Sequence, residues 1–463
     1  ARQTLIPVGP IPDMRAQITR ALAQMETQAQ GGRDRVPALA LFRRAADVIA
    51  AAGAGVALIE VSAQPARPLS VSINAADFTR LDALVGASVL PGHVRYYPYG
   101  ATACHVIGLT GPVTGESQQR LNRPRRDAGW ETQLCENYHD DDTVGISGVE
   151  QMCEALLRGR RGYRLVKRLN GTDRLLHEVP PQPGRGVHLT IDVGFQQELT
   201  ELLAARGQTG SIVVLSVKTG EVLALVSVPT YDLNAYRRQY EQLVSDDVFL
   251  PLLHRAVGGL YPPGSTVKPV TALSALDHGV TDLRQTVTCR GRYHGPDGPA
   301  CWNDYGHGPL ALVEAIKHSC NVYFYEMGDR LGVGPLGETL RQMGYGAPGG
   351  TGLPGEKAGL VPTPQWVRTH RGRSVRRSDA WFVAIGQGLL SATPLHVANA
   401  MATIARDGRF LSPMLSLEGG PKRIRRQVDI DAAYFRAVRR GMYKVVNDPQ
   451  GTAHSVFRAA PDL

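Results

Sequence analysis

Tyr261-Pro262-Pro263-Gly264-Ser265-Thr266-Val267-Lys268 is the segment that most narrows what this chain can build. Pro-Pro-Gly fits a corner far better than the interior of a strand or helix. The Ala-, Leu- and Val-rich run from Val270 to Val280 then predicts a buried helix. If that helix begins at Ser265, i,i+3 spacing sets Lys268 on the same face, one turn up. The Ser265 hydroxyl then lies at the positive end of the helix, where a developing oxyanion is stabilised. A buried lysine loses its proton readily enough to act as base toward a serine. Ser265 and Lys268 are therefore a candidate nucleophile and base.

Any helix can carry Ser-x-x-Lys by chance, so a second element matters. Ser319-Cys320-Asn321 closes an amphipathic segment (Leu310 to His318) and precedes Val322-Tyr323-Phe324-Tyr325. Ser319 and Asn321 can serve simply as helix N-caps, and that role is compatible with chemistry. Lys218-Thr219-Gly220 lies before Ser265, between two β-branched runs, Ser211 to Val217 and Glu221 to Val228. A hairpin turn accounts for it.

Ser-x-x-Lys followed by Ser-x-Asn is the motif order of the serine acyl-transferases that penicillin acylates. Further segments extend the match: Arg95-Tyr96-Tyr97-Pro98-Tyr99-Gly100, His105-Val106-Ile107-Gly108, Gly145-Ile146-Ser147-Gly148-Val149-Glu150 and Leu189-Thr190-Ile191-Asp192. Thr219-Gly220-Glu221-Val222-Leu223-Ala224 and Gly386-Gln387-Gly388 before Thr393-Pro394-Leu395 complete it. In this order, from about residue 90 onward, the chain resembles the class B penicillin-binding proteins of the elongation type.

The resemblance implies an α+β transpeptidase fold, an antiparallel sheet with helices on both faces, over residues 187–463. It implies an elongated, non-catalytic pedestal of mixed α/β character over residues 1–180, with Pro180-Pro181-Gln182-Pro183-Gly184 as the boundary. The activity implied is peptidoglycan D,D-transpeptidation through a serine acyl-enzyme during cell elongation. Ser265 would be the nucleophile and Lys268 the base, Ser319 a proton relay, and Asn321 an orienting group. Peptidoglycan stem peptides and β-lactams would be the ligands, and a membrane glycan polymerase the partner. The implied location is the periplasmic face of a bacterial inner membrane, with the N-terminal anchor not included in this sequence. The family's third motif, Lys-Thr-Gly or Lys-Ser-Gly, does not follow Ser319; Gly451-Thr452-Ala453-His454 resembles the segment just upstream of it. The sequence is accordingly read as ending before that motif. A catalytically silent scaffold that activates a glycan polymerase, and a serine β-lactamase, are the other readings; the β-lactamase leaves the N-terminal half unexplained.

Composition agrees. A chain of 463 residues exceeds one ordinary core, and 43% hydrophobic with 20% charged residues is globular. A net charge of +9 suits an anionic lipid or wall-polymer environment. The arginines fall in small scattered groups (Arg158, Arg160, Arg161; Arg423, Arg425, Arg426), read as solvated surface, with no nucleic-acid-binding module.

Six cysteines leave two readings open. Cys289, Cys301, His307 and Cys320 supply three thiolates and an imidazole, the ligand set of a closed structural zinc site. Relatives with comparable ligands add weight to it. A Cys289–Cys301 disulfide is the rival. Cys104, Cys135 and Cys153 show no ligand spacing, so burial or a disulfide is expected there.

Overall fold

The computed structural model describes residues 56–61, 69–72, 87–89, 95–139, 142–169 and 172–458. The sequence predicts short helices over Met14 to Gln28 and Val36 to Ala51, which lie outside the described residues. The chain divides into two compact units, Ala1–Pro98 and Tyr99–Leu463.

In the first unit, β1 (Val56–Val61) is the centre of a three-stranded antiparallel sheet, flanked by β2 (Leu69–Ser72) and β3 (Ala87–Val89). The sequence predicts β-rich pieces at Gly55 to Ser62 and Leu69 to Ile73, which β1 and β2 match, and β3 is additional.

The second unit opens with a short antiparallel pair, β4 (Thr110–Pro112) and β5 (Thr143–Gly145), followed by helix α1 (Gly148–Met152). Ser147 and Glu154 tie this region together. Ser147 Oγ accepts from Leu109 N at 3.0 Å, and Glu154 accepts from Gly145 N at 2.8 Å and from the Tyr138 hydroxyl at 3.1 Å. Next comes the hairpin of β6 (Tyr163–Leu169) and β7 (Thr172–Val179). The sequence predicts this hairpin over Leu165 to Leu169 and Leu175 to Val179 with a somewhat extended loop, whereas the pairing continues to Leu169 opposite Thr172.

Asp192 caps helix α2 (Val193–Ala204) by accepting from Phe195 N at 3.0 Å. The antiparallel pair β8 (Gly210–Leu215) and β9 (Val222–Val228) follows, as the β-branched runs predict. The buried Gln196 locks α2 to β9 through both amide atoms, accepting from Leu225 N at 2.7 Å and donating to Leu225 O at 3.2 Å. An apolar cluster of Val106, Val149, Val222, Leu225, Val257 and Leu415 seats residues 103–153 against this hairpin.

The larger core surrounds helix α3 (Lys268–Asp277), whose residues from Lys268 to Leu276 are all buried. Two strands, β10 (Val287–Cys289) and β11 (Gly308–Leu310), pair beside it. Packed with α3 are α4 (Leu312–Lys317), α5 (Asn321–Leu331) and α6 (Val333–Gln342). Completing the core are α7 (Arg377–Ala384), α8 (Pro394–Ala405) and α9 (Ala432–Asn447), which follows the strand pair β12 (Arg409–Leu411) and β13 (Arg425–Gln427). After α3 the sequence predicts helices at Leu310 to Ala315, Asn321 to Leu331, Gly334 to Met343, His396 to Ala405 and Ala432 to Val446; Leu310 instead ends a strand, so the first of them starts at Leu312. Helices Tyr236–Ser245, Pro364–Arg371 and α7 were not expected; Arg and His interrupt their apolar pattern. Among the described residues no helix is long and apolar enough to cross a membrane.

Leu273 is wholly buried in α3. Leu273→Ala is expected to cost about 2–5 kcal/mol, read as a lower denaturant midpoint at unchanged slope.

Candidate active site

Gly264–Val267 forms a 3₁₀ turn that runs straight into α3, so Lys268 is the first residue of the α-helix. In a 3₁₀ turn, side chains at i and i+3 eclipse. Ser265 and Lys268 thus share a face for a tighter reason than the α-helical spacing anticipated. Ser265 is exposed and Lys268 is 2% exposed.

The turn is held from behind. Gly264 N donates to Gly386 O at 2.9 Å, Tyr261 and Ala392 exchange two backbone hydrogen bonds at 2.9 Å, and Thr271 Oγ1 donates to Ala384 O at 2.9 Å. Gly386 has φ +76°, and a Cβ there would lie 2.0 Å from Gly264 O. The Gly-Gln-Gly segment is therefore a seat for the Pro-Pro-Gly corner. Sequence reading noted that segment without giving it a role.

Lys268 Nζ donates to Ser319 O at 2.7 Å, Ser319 Oγ at 2.9 Å and Asn321 Oδ1 at 2.7 Å. Three acceptors satisfy the three N–H of an ammonium. Among the described residues none of these contacts goes to Ser265. Burial pushes the Lys268 pKa down to about 8, against an opposite pull from Cys320 and Cys301. Phe324 lies beneath, with its ring centre 5.6 Å from Nζ.

Ser319-Cys320-Asn321 is a junction between two helix ends. Ser319 is left-handed, φ 46°; its N–H donates to Ile316 O at 3.0 Å, and Cys320 N donates to Ala315 O at 3.0 Å. That is a Schellman closure of α4, which turns the Ser319 carbonyl and hydroxyl toward Lys268. The N-cap of α5 is Cys320, whose sulfur accepts from Tyr323 N at 3.5 Å, so neither Ser319 nor Asn321 has the capping role considered for it. Asn321 Nδ2 in turn reaches Ala300 O at 3.4 Å.

Ala300 adjoins the second constellation. The ligand atoms of Cys289, Cys301, His307 and Cys320 all lie within 4.8 Å of one another, with the three cysteines buried. A tetrahedral site with metal–sulfur bonds of about 2.3 Å has ligand–ligand edges of about 3.8 Å, so a small contraction would close it. All six cysteines are free thiols, which removes the Cys289–Cys301 disulfide and any pairing of Cys104, Cys135 and Cys153. His307 Nε2 is buried without a hydrogen-bond partner among the described residues, while Nδ1 lies 3.6 Å from Cys301 Sγ. Cys301 and Cys320 share a hydrogen bond that holds the Cys301 thiol down at about 4 and pushes Cys320 up. The donor set and its spacing fit a metal ion. The loop between β10 and β11 closes over it, with Trp302 Nε1 donating to His318 O at 2.9 Å.

Lys218-Thr219-Gly220 forms the connection between β8 and β9. Thr219 Oγ1 hydrogen-bonds Ser216 Oγ and Glu221 Oε2, both at 2.7 Å, a local turn as expected.

With this geometry in place, the comparisons are decisive about family. Residues 210–461 match the penicillin-binding protein transpeptidase domain, and residues 43–189 the penicillin-binding protein dimerisation domain. The chain belongs to the penicillin-binding protein transpeptidase family, and its expected likeness to the elongation-type class B members is borne out. It is 35% identical over 392 residues to the peptidoglycan D,D-transpeptidase MrdA of Escherichia coli K12, covering 79% of this chain and 59% of that protein's length. It matches penicillin-binding protein PBP2 of Helicobacter pylori, solved in complex with MreC, with TM-score 0.74 and 26% identity over 97% of this chain and 80% of that one. A chain from a structure described as coordinating polymerization and crosslinking in a peptidoglycan synthase complex matches with TM-score 0.69 and 28% identity, over 87% and 74%. The α+β transpeptidase fold with a dimerisation-type N-terminal part is thereby established.

Gly386→Ala combines a left-handed backbone with a clash against Gly264 O. It is expected to destabilise the chain by about 1–3 kcal/mol, measured by denaturant titration; a loss below ~0.5 kcal/mol would show that the corner can shift freely.

Proposed function

We propose that this chain carries out peptidoglycan D,D-transpeptidation through an acyl-enzyme on Ser265, and that β-lactams acylate the same hydroxyl. The observation that carries this reading is the buried Lys268 amine held by Ser319 and Asn321, one short turn from an exposed serine.

The chemistry follows from counting protons. As an ammonium, Lys268 spends all three N–H on its acceptors. Once neutral, its two remaining N–H are saturated by the Ser319 carbonyl and Asn321 Oδ1, leaving one lone pair for a hydroxyl proton. Ser265 Oγ gives up that proton as it attacks the penultimate D-Ala carbonyl of a stem peptide. The Ser265 N–H, in the first turn of the helix, faces the developing oxyanion. Collapse of the tetrahedral intermediate breaks the C–N bond, and the proton passes from Lys268 by way of the Ser319 hydroxyl to the departing D-Ala amine. Attack on the ester by an amine of a neighbouring stem reverses these transfers, forms the cross-link and returns the proton to Ser265. Asn321 fixes Lys268 on one side and, through Ala300 O, the cysteine-bearing loop on the other.

For the Cys289, Cys301, His307 and Cys320 cluster we propose a structural zinc ion. It would supply no chemistry to the reaction; bound there, it holds Cys320, and with it the Ser319–Asn321 junction, in place. The division of labour between residues 1–180, a pedestal, and 187–463, the transpeptidase body, belongs to the same proposal. So do a periplasmic site of action on a membrane-anchored protein and a glycan polymerase partner.

Labelled penicillin should attach to the chain, and Ser265→Ala should abolish attachment. Lys268→Ala should slow it by about 10²–10⁴-fold. Neutral Lys268 is the working form and accumulates as pH rises, so the acylation rate should climb with pH and level off above about 8. A rate that falls through that range would make the ammonium the working form and overturn the base assignment.

Protein purified without chelator should contain about one zinc per chain. Cys320→Ser should lose most of it and melt at a lower temperature; full metal content in that variant rules out the ligand set.

A further inference from the structure

Gly220, in the connection between β8 and β9, lies against two arginine side chains. A Cβ built on it would lie 2.7 Å from Arg423 Nη2 and 3.4 Å from Arg406 Nη1. Two guanidinium groups therefore converge on Gly220, φ +75°, with Leu411 Cβ beside them. Arg406 is anchored on one side only: Nε donates to Ala402 O at 2.9 Å and Nη2 to Asn399 Oδ1 at 3.2 Å. Its Nη1, together with Nε and Nη2 of Arg423, is buried without a hydrogen-bond partner among the described residues. The remaining nitrogen, Arg423 Nη1, has among the described residues the weak acceptor Met414 Sδ at 4.0 Å.

The charge balance is equally one-sided. Arg409 and Arg423 act on Arg406, and Arg409 and Arg425 act on Arg423. Glu221 is the acidic residue whose charge reaches Arg423. Its Oε2 accepts from Thr219 Oγ1 at 2.7 Å, and among the described residues it forms no ion pair with Arg423. Burial and these like charges lower the Arg406 pKa to about 10. Arg423 also borders a neighbouring cavity of about 180 Å³, lined with Gly350, Thr351, Ser412 and Met414 but not with Gly220 or Arg406.

A buried donor left without an acceptor is costly, and more so when it carries charge. Water could accept from the N–H groups but would leave the guanidinium repulsion in place. An anion with three or more acceptor oxygens and up to two negative charges meets both needs. We propose that Arg406 and Arg423, beside Gly220, form a binding site for a phosphate-type oxyanion, either free phosphate or the phosphate of a lipid headgroup.

The test uses the full chain, exchanged into buffer free of phosphate and sulfate. Inorganic phosphate is titrated by calorimetry and thermal melting against chloride at equal ionic strength. Binding to phosphatidylglycerol vesicles is compared with binding to phosphatidylcholine vesicles. Arg423→Gln is set beside Arg425→Gln, which removes the same charge from an exposed neighbour. Phosphate is expected to raise the melting temperature of the wild-type chain more than chloride does. R423Q should weaken binding by about tenfold or more, with R425Q close to wild type. In phosphate-free buffer R423Q should melt no lower than the wild type, because it relieves an uncompensated charge; a merely structural arginine would lower it. Should R423Q fail to fold, Arg423→Met, which keeps the stem, repeats the measurement. Arg423-dependent binding to phosphatidylglycerol without a response to free phosphate identifies the headgroup as the source. The proposal is overturned if phosphate acts no more strongly than chloride while vesicle binding is the same in R423Q and R425Q.

Discussion

A lysine ammonium buried beneath its own helix is costly unless every N–H finds an acceptor and the neutral form is within reach. Lys268 meets both conditions. The Ser319 carbonyl, the Ser319 hydroxyl and the Asn321 amide oxygen each lie 2.7–2.9 Å from Nζ. The surrounding geometry serves that arrangement. A Schellman closure turns the Ser319 carbonyl inward, and α5 must begin one residue later so that Asn321 faces the same point.

Two supports fix this junction from opposite sides in sequence. The loop that follows α7 seats the Pro-Pro-Gly corner through Gly386 and Gly264, which sets where α3 starts. The loop between β10 and β11 carries Cys301 and Ala300 to the other end, where Asn321 meets the Ala300 carbonyl. A tight backbone approach and a ligand cluster therefore position the same few atoms without any long side chain spanning the gap.

Much of this was legible in the residues. Ser265, Lys268, Ser319 and Asn321 could be named because their spacing carries a mechanism. The zinc-type ligand set could be named because thiols and an imidazole have few other reasons to gather. Strands β8 and β9 were visible because β-branched runs flank a turn. What stayed hidden depended on tertiary contacts. The seat formed by Gly386 has no local signature, since its partner lies more than a hundred residues away. The capping role of Cys320 was obscured because cysteine is not a usual cap, and the 3₁₀ start of α3 because Ser-Thr-Val is compatible with either helix type. Helix Pro364–Arg371 was missed because only Val367 is buried, leaving almost no apolar stripe to read. Arg423 reads as solvated surface, and nothing local in the sequence places the Arg406 guanidinium beside it at Gly220.

Cys320 belongs to two structures at once, the opening of α5 and the sulfur cluster. That double membership restricts how descendants of this sequence can drift. A lineage that abandons the other three ligands loses the reason for a thiol at this position yet still has to cap the helix. The replacements open to it are serine, threonine, asparagine and aspartate. Aspartate would also set a negative charge beside Lys268 and stabilise its protonated form, so the small neutral caps are the ones compatible with the base role proposed for that amine.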